Sequence, residues 1–342
     1  PQYLIFGQAT EVSKERWPSE MTTLQPQWNL EKIHANEAWS VTTGSSKITV
    51  GVLDTGVDLD NEDLYLNIWI NEGELPPELT EILPSGYKAA DFDEDGVITF
   101  YDLNTDDPEH QSFLEAAGIV DCRQACPGGE GRGLGDVGRR IIDPIDLLYS
   151  VDARFHNGDS DGNGFGDDIV GWNFVDGTND PEDTSAEAGY ESHGTAVAGI
   201  IGAQGDNSIG IAGINWRIRL IPLKILGMNA AGLFDRAYEA MVYAAGEGAL
   251  VSNASFGSLD EEDIENRQAE CDDAMALEIA LKKMLLVLPA GNRGAEIDPF
   301  NLEAMHYAIC PQLSASRRLV VFVVAGTDED NHIAPDSNRS SW

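Results

Sequence analysis

The chain has 342 residues, of which 59 are Asp or Glu and 21 are Lys or Arg, for a formal net charge of -38 at pH 7. Acidity on this scale repels phosphate backbones, so nucleic acid is excluded as an expected partner and cations are favoured. No run of eighteen apolar residues occurs, so no transmembrane segment is expected, while an apolar share of 42% suits one large domain with insertions or two small ones.

Pro1 opens the chain with no basic-then-apolar leader behind it, the pattern expected of a processed product or a fragment. Residues 1–46 show few strong periods and read as an extended lead-in. The apolar run at 48–53 ends in Asp54-Thr55-Gly56, which predicts a buried parallel strand with a polar turn at its carboxyl end. Residues 73–157 are rich in Pro, Gly and acids and read as a loop-rich insertion. Beyond it the predicted elements alternate. A helix is expected at 195–203 and a strand at 218–226, with Pro222 marking a bulge or an edge. A helix at 233–245, strands at 249–254 and 285–289 separated by a helix at 274–284, and a strand within 318–325 complete the series. Strands alternating with helices predict a three-layer α/β/α domain on a mostly parallel sheet, in which sites gather at the carboxyl ends of the strands.

Three short segments fall at predicted strand ends or helix starts: Asp54-Thr55-Gly56, Ser192-His193-Gly194-Thr195 and Pro289-Ala290-Gly291-Asn292. Each alone is weak. Together, an Asp, a His and a later Asn are what an acyl-transfer site requires besides its nucleophile. The imidazole moves the proton, the carboxylate fixes its tautomer, and the amide donates to the developing oxyanion.

A fourth signal concerns a cation. Residues 91–102 read D-F-D-E-D-G-V-I-T-F-Y-D, the pattern of an EF-hand loop. Asp91, Asp93 and Asp95 stand at positions 1, 3 and 5, and the Val97 carbonyl at 7. Asp102 stands at 12, where Glu is usual. A hard ion such as Ca2+ wants six to eight oxygens, and alternate residues of a curling loop supply them.

With these motifs in this order, the sequence resembles the subtilisin-like serine proteases, or subtilases. Asp54 stands in the family's D-T/S-G motif, His193 in H-G-T-x-V-A-G (here HGTAVAG) and Asn292 in A-G-N. Residues 251–257 (VSNASFG) resemble the N-x-S-x-G strand that lines the substrate cleft. The resemblance therefore implies Ser255, Phe256, Gly257, Ala290 and Gly291 as substrate-binding positions, with strand addition as the binding mode. It runs from about residue 25 to 342, interrupted by the insertion, so that 1–46 would lead into a catalytic domain at 47–342.

The resemblance also implies further calcium ligands. Asp159, Asp161, Asn163, Phe165 and Asp168 precede a G-W-x-F segment, as in many subtilases. Asp63, Asn207 and Ile209 match the family's N-N-S-x-G calcium loop with its distant acid. It implies a polypeptide substrate, a removed propeptide and a secreted, oxidising location.

The four cysteines, Cys122, Cys126, Cys271 and Cys310, permit two disulfides or four free thiols, and their spacing does not suit a zinc site. One departure stands out, because no Ser is followed by the x-A-x-P of the family's G-T-S-x-A-x-P nucleophile segment. A companion C-terminal fragment, an incomplete sequence or an inactive scaffold on the same fold would each account for that.

Overall fold

The computed structural model describes residues 27–121, 141–185, 192–227, 233–256, 284–292, 294 and 320–337. All four cysteines, Gly257 and all but the last residue of the predicted helix at 274–284 lie outside them. Two short helices, α1 (Trp28–Lys32) and α2 (Ala35–Trp39), lead into β1 (Gly44–Asp54). Helices α3 (Pro77–Thr80), α4 (Phe100–Leu103), α5 (Pro108–Ala116) and α6 (Pro144–Leu148) follow, and then the two-residue strand β2 (Trp172–Asn173). The remaining series is α7 (His193–Gly202), β3 (Arg217–Lys224), α8 (Leu233–Gly246), β4 (Val251–Ala254), β5 (Leu285–Pro289) and β6 (Val320–Val324).

The six strands form one sheet in the order β2-β3-β1-β4-β5-β6, and every strand pairing is parallel. Residue alternation along a strand puts neighbours on opposite faces, and two apolar clusters result. Val50, Val52, Ile218 and Leu220 pack with Ala198 of α7 on one face. Leu53, Ile221, Leu223, Leu286 and Leu288 pack with Ala237, Met241 and Ala244 of α8 on the other. The architecture is thus the expected three-layer α/β/α fold. From β1 the chain passes to β2 at the edge, returns to β3 beside β1, and then crosses to β4 on the far side of β1. The carboxyl end of β1 is therefore a topological switch point, where ligand sites of such sheets form.

Three local readings need adjustment. Helix α7 begins at His193, two residues before the predicted start, because its first turn is capped from outside the helix, as described below. Pro222 makes no bulge, since it stands in regular register opposite Val52, and the irregularity of this pair lies between Gly44 and Thr49. The carbonyls of Leu220 and Lys224 accept from Trp69 and Phe174 on the outer side. By the same alternation Pro222 turns its missing N–H outward, where no β1 bond is lost. The third concerns residues 73–157, which are more than loops. Leu79, Ile98, Phe100, Leu103, Leu114 and Ile142 are fully buried there and join the cluster that covers the α7 face of the sheet. Among the described residues no helix is long and apolar enough to cross a membrane.

Because Phe100 is fully buried in that shared cluster, Phe100→Ala is expected to cost about 3–5 kcal/mol. Denaturant unfolding should show one transition shifted as a whole. Loss of a separate early transition, with the main one unmoved, would mean that the insertion folds on its own.

Candidate active site and cation sites

β1 ends on Asp54, a carboxylate with no exposed surface. Its Oδ1 accepts the Thr55 N–H at 2.8 Å and stands 2.8 Å from Nδ1 of His193, the first residue of α7. Its Oδ2 is buried without a protein hydrogen-bond partner. A carboxylate accepts only, so Nδ1 carries the proton of the neutral imidazole and Nε2 presents a lone pair. The His193 side chain is half exposed. A buried acid behind a solvent-facing imidazole is the geometry of a general base whose cationic form is stabilised from one side only.

The close approach of the two elements depends on glycine. A Cβ on Gly194 would lie 2.1 Å from the Gly56 carbonyl and 2.9 Å from the Asp54 Cβ. Gly56 itself has φ +103°, and a Cβ there would strike the carbonyl of Pro181 at 2.4 Å. The sequences D-T-G and H-G-T are therefore steric requirements of one backbone junction.

Helix α7 has no side-chain cap of its own from Ser192. Its free N–H groups are met from elsewhere in the fold. Thr55 Oγ1 accepts from Gly194 N at 2.9 Å, and Asp183 Oδ2 lies 3.4 Å from Thr195 N. Sequence reading passed over Asp183, although it sits in the acid-rich stretch just ahead of His193.

Asn292 follows β5 and is exposed. β5 is two positions from β1 in the sheet, so at a strand spacing of roughly 4.8 Å the two strand ends lie on the order of 10 Å apart along the same edge. The turn before and after Asn292 is pinned, because Ala290 N–H donates to the Val324 carbonyl and Gly294 N–H to that of Asp336. Among the substrate-binding candidates, Phe256 and Ala290 are buried, and Ser255 and Gly291 are partly accessible. β4 is paired on both sides through Val251, Ser252 and Asn253. Ala254 is paired with β1 alone, and the Oγ of Ser255 accepts from Asn253.

The acidic loops gather as follows. Asp91, Asp93 and Asp102 bring ligand oxygens within 4.8 Å of one another. Asp95 is not in that group, and its carboxylate accepts the Val97 N–H. Asp102 already accepts from Phe92, Asp93 and Thr99 as part of the α4 capping box. Asp159 and Asp161 converge with Glu74, an acid that the sequence reading missed. Asp168 turns away to meet Asn71, Asn163 and Tyr243. Asn163 reaches Asp161, Asp168 and Glu247 with its amide, and the Phe165 N–H donates back to Asn163. Asp63 meets the third loop, accepting from Asn207 at 2.7 Å and from Ile211 at 2.9 Å, and the Ile209 N–H caps Asn207. An all-oxygen donor set of this kind fits a hard divalent cation such as Ca2+.

Burial lifts the Asp63 carboxyl to about 6, against the Asn207 and Ile211 bonds that pull it down. It likewise lifts Asp102 to about 6, and Glu247, beside Asp161 and Asp168, to about 7.

Residues 45–342 match the model of the subtilase family. The "Thermophilic serine proteinase" of Bacillus sp. (strain AK1) is 30% identical over 182 residues, 51% of this chain and 37% of that protein. Thermitase of Thermoactinomyces vulgaris is 33% identical over 89 residues, 26% of this chain and 30% of that protein. The chain thus matches only about a third of the length of either relative. Among solved structures, a lanthipeptide protease superposes with a TM-score of 0.42 at 19% identity, covering 92% of this chain and 58% of that one.

The raised acids bind protons more tightly folded than unfolded. Without a cation, their contribution to stability therefore falls as pH rises from about 4 through about 6 to 7. A bound cation favours the charged form and opposes this. Saturating Ca2+ should raise the melting temperature by several degrees at pH of about 7 and by less near pH of about 5. An unchanged melting temperature on chelation at the higher pH would count against all three loops as cation sites. Separately, Gly194→Ala should separate Asp54 from His193 and abolish whatever chemistry the pair performs, which an activity assay on the folded variant would read.

Proposed function

The chain belongs to the subtilase family, and on that premise we propose that it is most of the catalytic domain of a calcium-stabilised serine endopeptidase acting on polypeptides. The carrying observation is the 2.8 Å contact between His193 Nδ1 and a fully buried Asp54. In this reading Nε2 of His193 takes the proton of a serine hydroxyl as it attacks the scissile carbonyl. The imidazole then returns that proton to the departing amine, while Asp54 stabilises the imidazolium. Asn292 donates its side-chain amide to the oxyanion, and Ser255 with Gly291 lines the path of the extended substrate.

The nucleophile is proposed to come from polypeptide outside these 342 residues, since no Ser among them stands in a G-T-S-x-A-x-P segment. It would lie on the same translation product or on a companion fragment after cleavage. Removal of a propeptide and a secreted location follow from the same family reading. Calcium would sit among Asp91, Asp93 and Asp102, among Glu74, Asp159 and Asp161, and around Asp63 and the 206–211 loop. There it would neutralise carboxylates that otherwise repel one another. The missing serine motif favours a competing reading, a cation-binding scaffold on the same fold that turns nothing over.

In the full-length protein, His193→Ala should reduce peptide hydrolysis to background. Asn292→Ala should lower kcat by about 100- to 1000-fold with a smaller effect on KM, as expected for a donor that engages mainly in the transition state. Full hydrolysis by His193→Ala would remove the imidazole from the mechanism. Absence of hydrolysis in the full-length wild type would favour the scaffold.

A further inference from the structure

We propose that Asp183 is a positioning residue that sets the Asp54–His193 geometry by clamping together the two segments that carry them. The proposal rests on the protease reading above for its kinetic consequence, but not for its structural one.

Asp183 is buried and hydrogen-bonds to both motifs at once. Its Oδ2 lies 3.1 Å from Thr55 Oγ1, next to Asp54, and 3.0 Å from Thr195 Oγ1, two residues after His193. A carboxylate can only accept, so both hydroxyls must donate to it. That fixes their remaining lone pairs. Thr55 Oγ1 accepts the Gly194 N–H at 2.9 Å, and Thr195 Oγ1 accepts the Asp58 N–H at 2.9 Å. Each threonine thus ties one motif to the backbone of the other, and the carboxylate sets the direction of both ties. The Thr195 N–H also points at Asp183, so the charge sits at the start of α7, where the helix dipole favours it.

The clamp has its own anchor. Glu182 bridges to Val57, the Asp183 N–H donates to the Val57 carbonyl, and Val57 N–H donates to that of Pro181. Lys224 is buried at the end of β3, opposite Asp54 in the register. Its ammonium donates to the Glu182 carbonyl at 2.7 Å and to Thr184 Oγ1 at 3.0 Å. The 181–184 segment is therefore held from two sides, and Asp183 projects from it into the junction. Removing the carboxylate frees both hydroxyls to rotate and leaves the first turn of α7 partly uncapped. The imidazole then loses a fixed position relative to Asp54.

The test compares Asp183→Ala with Asp183→Asn, which keeps one acceptor oxygen, by two measurements. The first is the hydrogen-bonded Nδ1 proton of His193, observed by NMR with labelled histidine on this chain. The second is kcat and KM on the full-length enzyme. Asp183→Ala should lose or broaden the Nδ1 proton signal and lower kcat on the order of 10- to 100-fold, with KM within about two-fold. Asp183→Asn should retain the signal and most of the turnover. Should Asp183→Ala fail to fold, Thr55→Val and Thr195→Val each remove one hydroxyl, both its bond to Asp183 and its bond from the opposite backbone, with little change of shape, and should give losses of the same kind. An Asp183→Ala protein that melts earlier but keeps both the Nδ1 proton and kcat would overturn the proposal, leaving Asp183 a structural residue. Equal loss in Asp183→Asn and Asp183→Ala would overturn it too. A wild type that shows the Nδ1 proton yet hydrolyses no peptide would strike the protease reading alone.

Discussion

Everything at the carboxyl edge of the sheet depends on one steric fact, the contact of two backbones where β1 stops and α7 starts. Side chains at that point would force the elements apart, as the 2.1 Å approach available to a Gly194 Cβ makes plain. With glycine at 56 and 194, a strand end and a helix start come close enough for a carboxylate to reach an imidazole directly. The rest of the junction serves to keep that approach in place. Thr55 and Thr195 span it, Asp183 orients them, and Lys224 holds the segment from which Asp183 projects.

The candidate groups Asp54, His193 and Asn292 were legible in the sequence because each belongs to a short motif at a strand end or a helix start. Five of the six strands were legible because they read as short apolar runs, whereas the two-residue β2 carries no such run. What escaped reading had no local signature. Asp183 is one acid in an acid-rich stretch, and only the fold brings its carboxylate to Thr55 and Thr195. Glu74 lies far along the chain from Asp159 and Asp161, its neighbours in space. Asp95 and Asp168 fit a ligand pattern by spacing, but neither lies in the acid clusters that the fold gathers, and each accepts from another group. The core of residues 73–157 was hidden because three of its four helices run only four or five residues, too short to display a helical period.

The acidic loops and the apolar cluster beneath them form one system. Asp102 ends one acid loop and caps α4, and the next residue, Leu103, is fully buried in the cluster that backs β1 and β3. The acid loop and the packing under the sheet thus share one short helix. Burial raises Asp63 and Asp102 because they are set into the fold's surface rather than displayed on it. The same setting gives a cation placed there leverage over stability.

The borrowed cap of α7 also bears on the order in which the molecule assembles. Asp54 and His193 are 139 positions apart, and Thr195 is 137 from Asp58. A helix start that lacks a local cap gains little from forming alone, so its first turn is secured only when β1 and the 181–184 segment have already met. Closing so large a span costs chain entropy before any contact rewards it, which favours slow folding with the cleft completed among the last events.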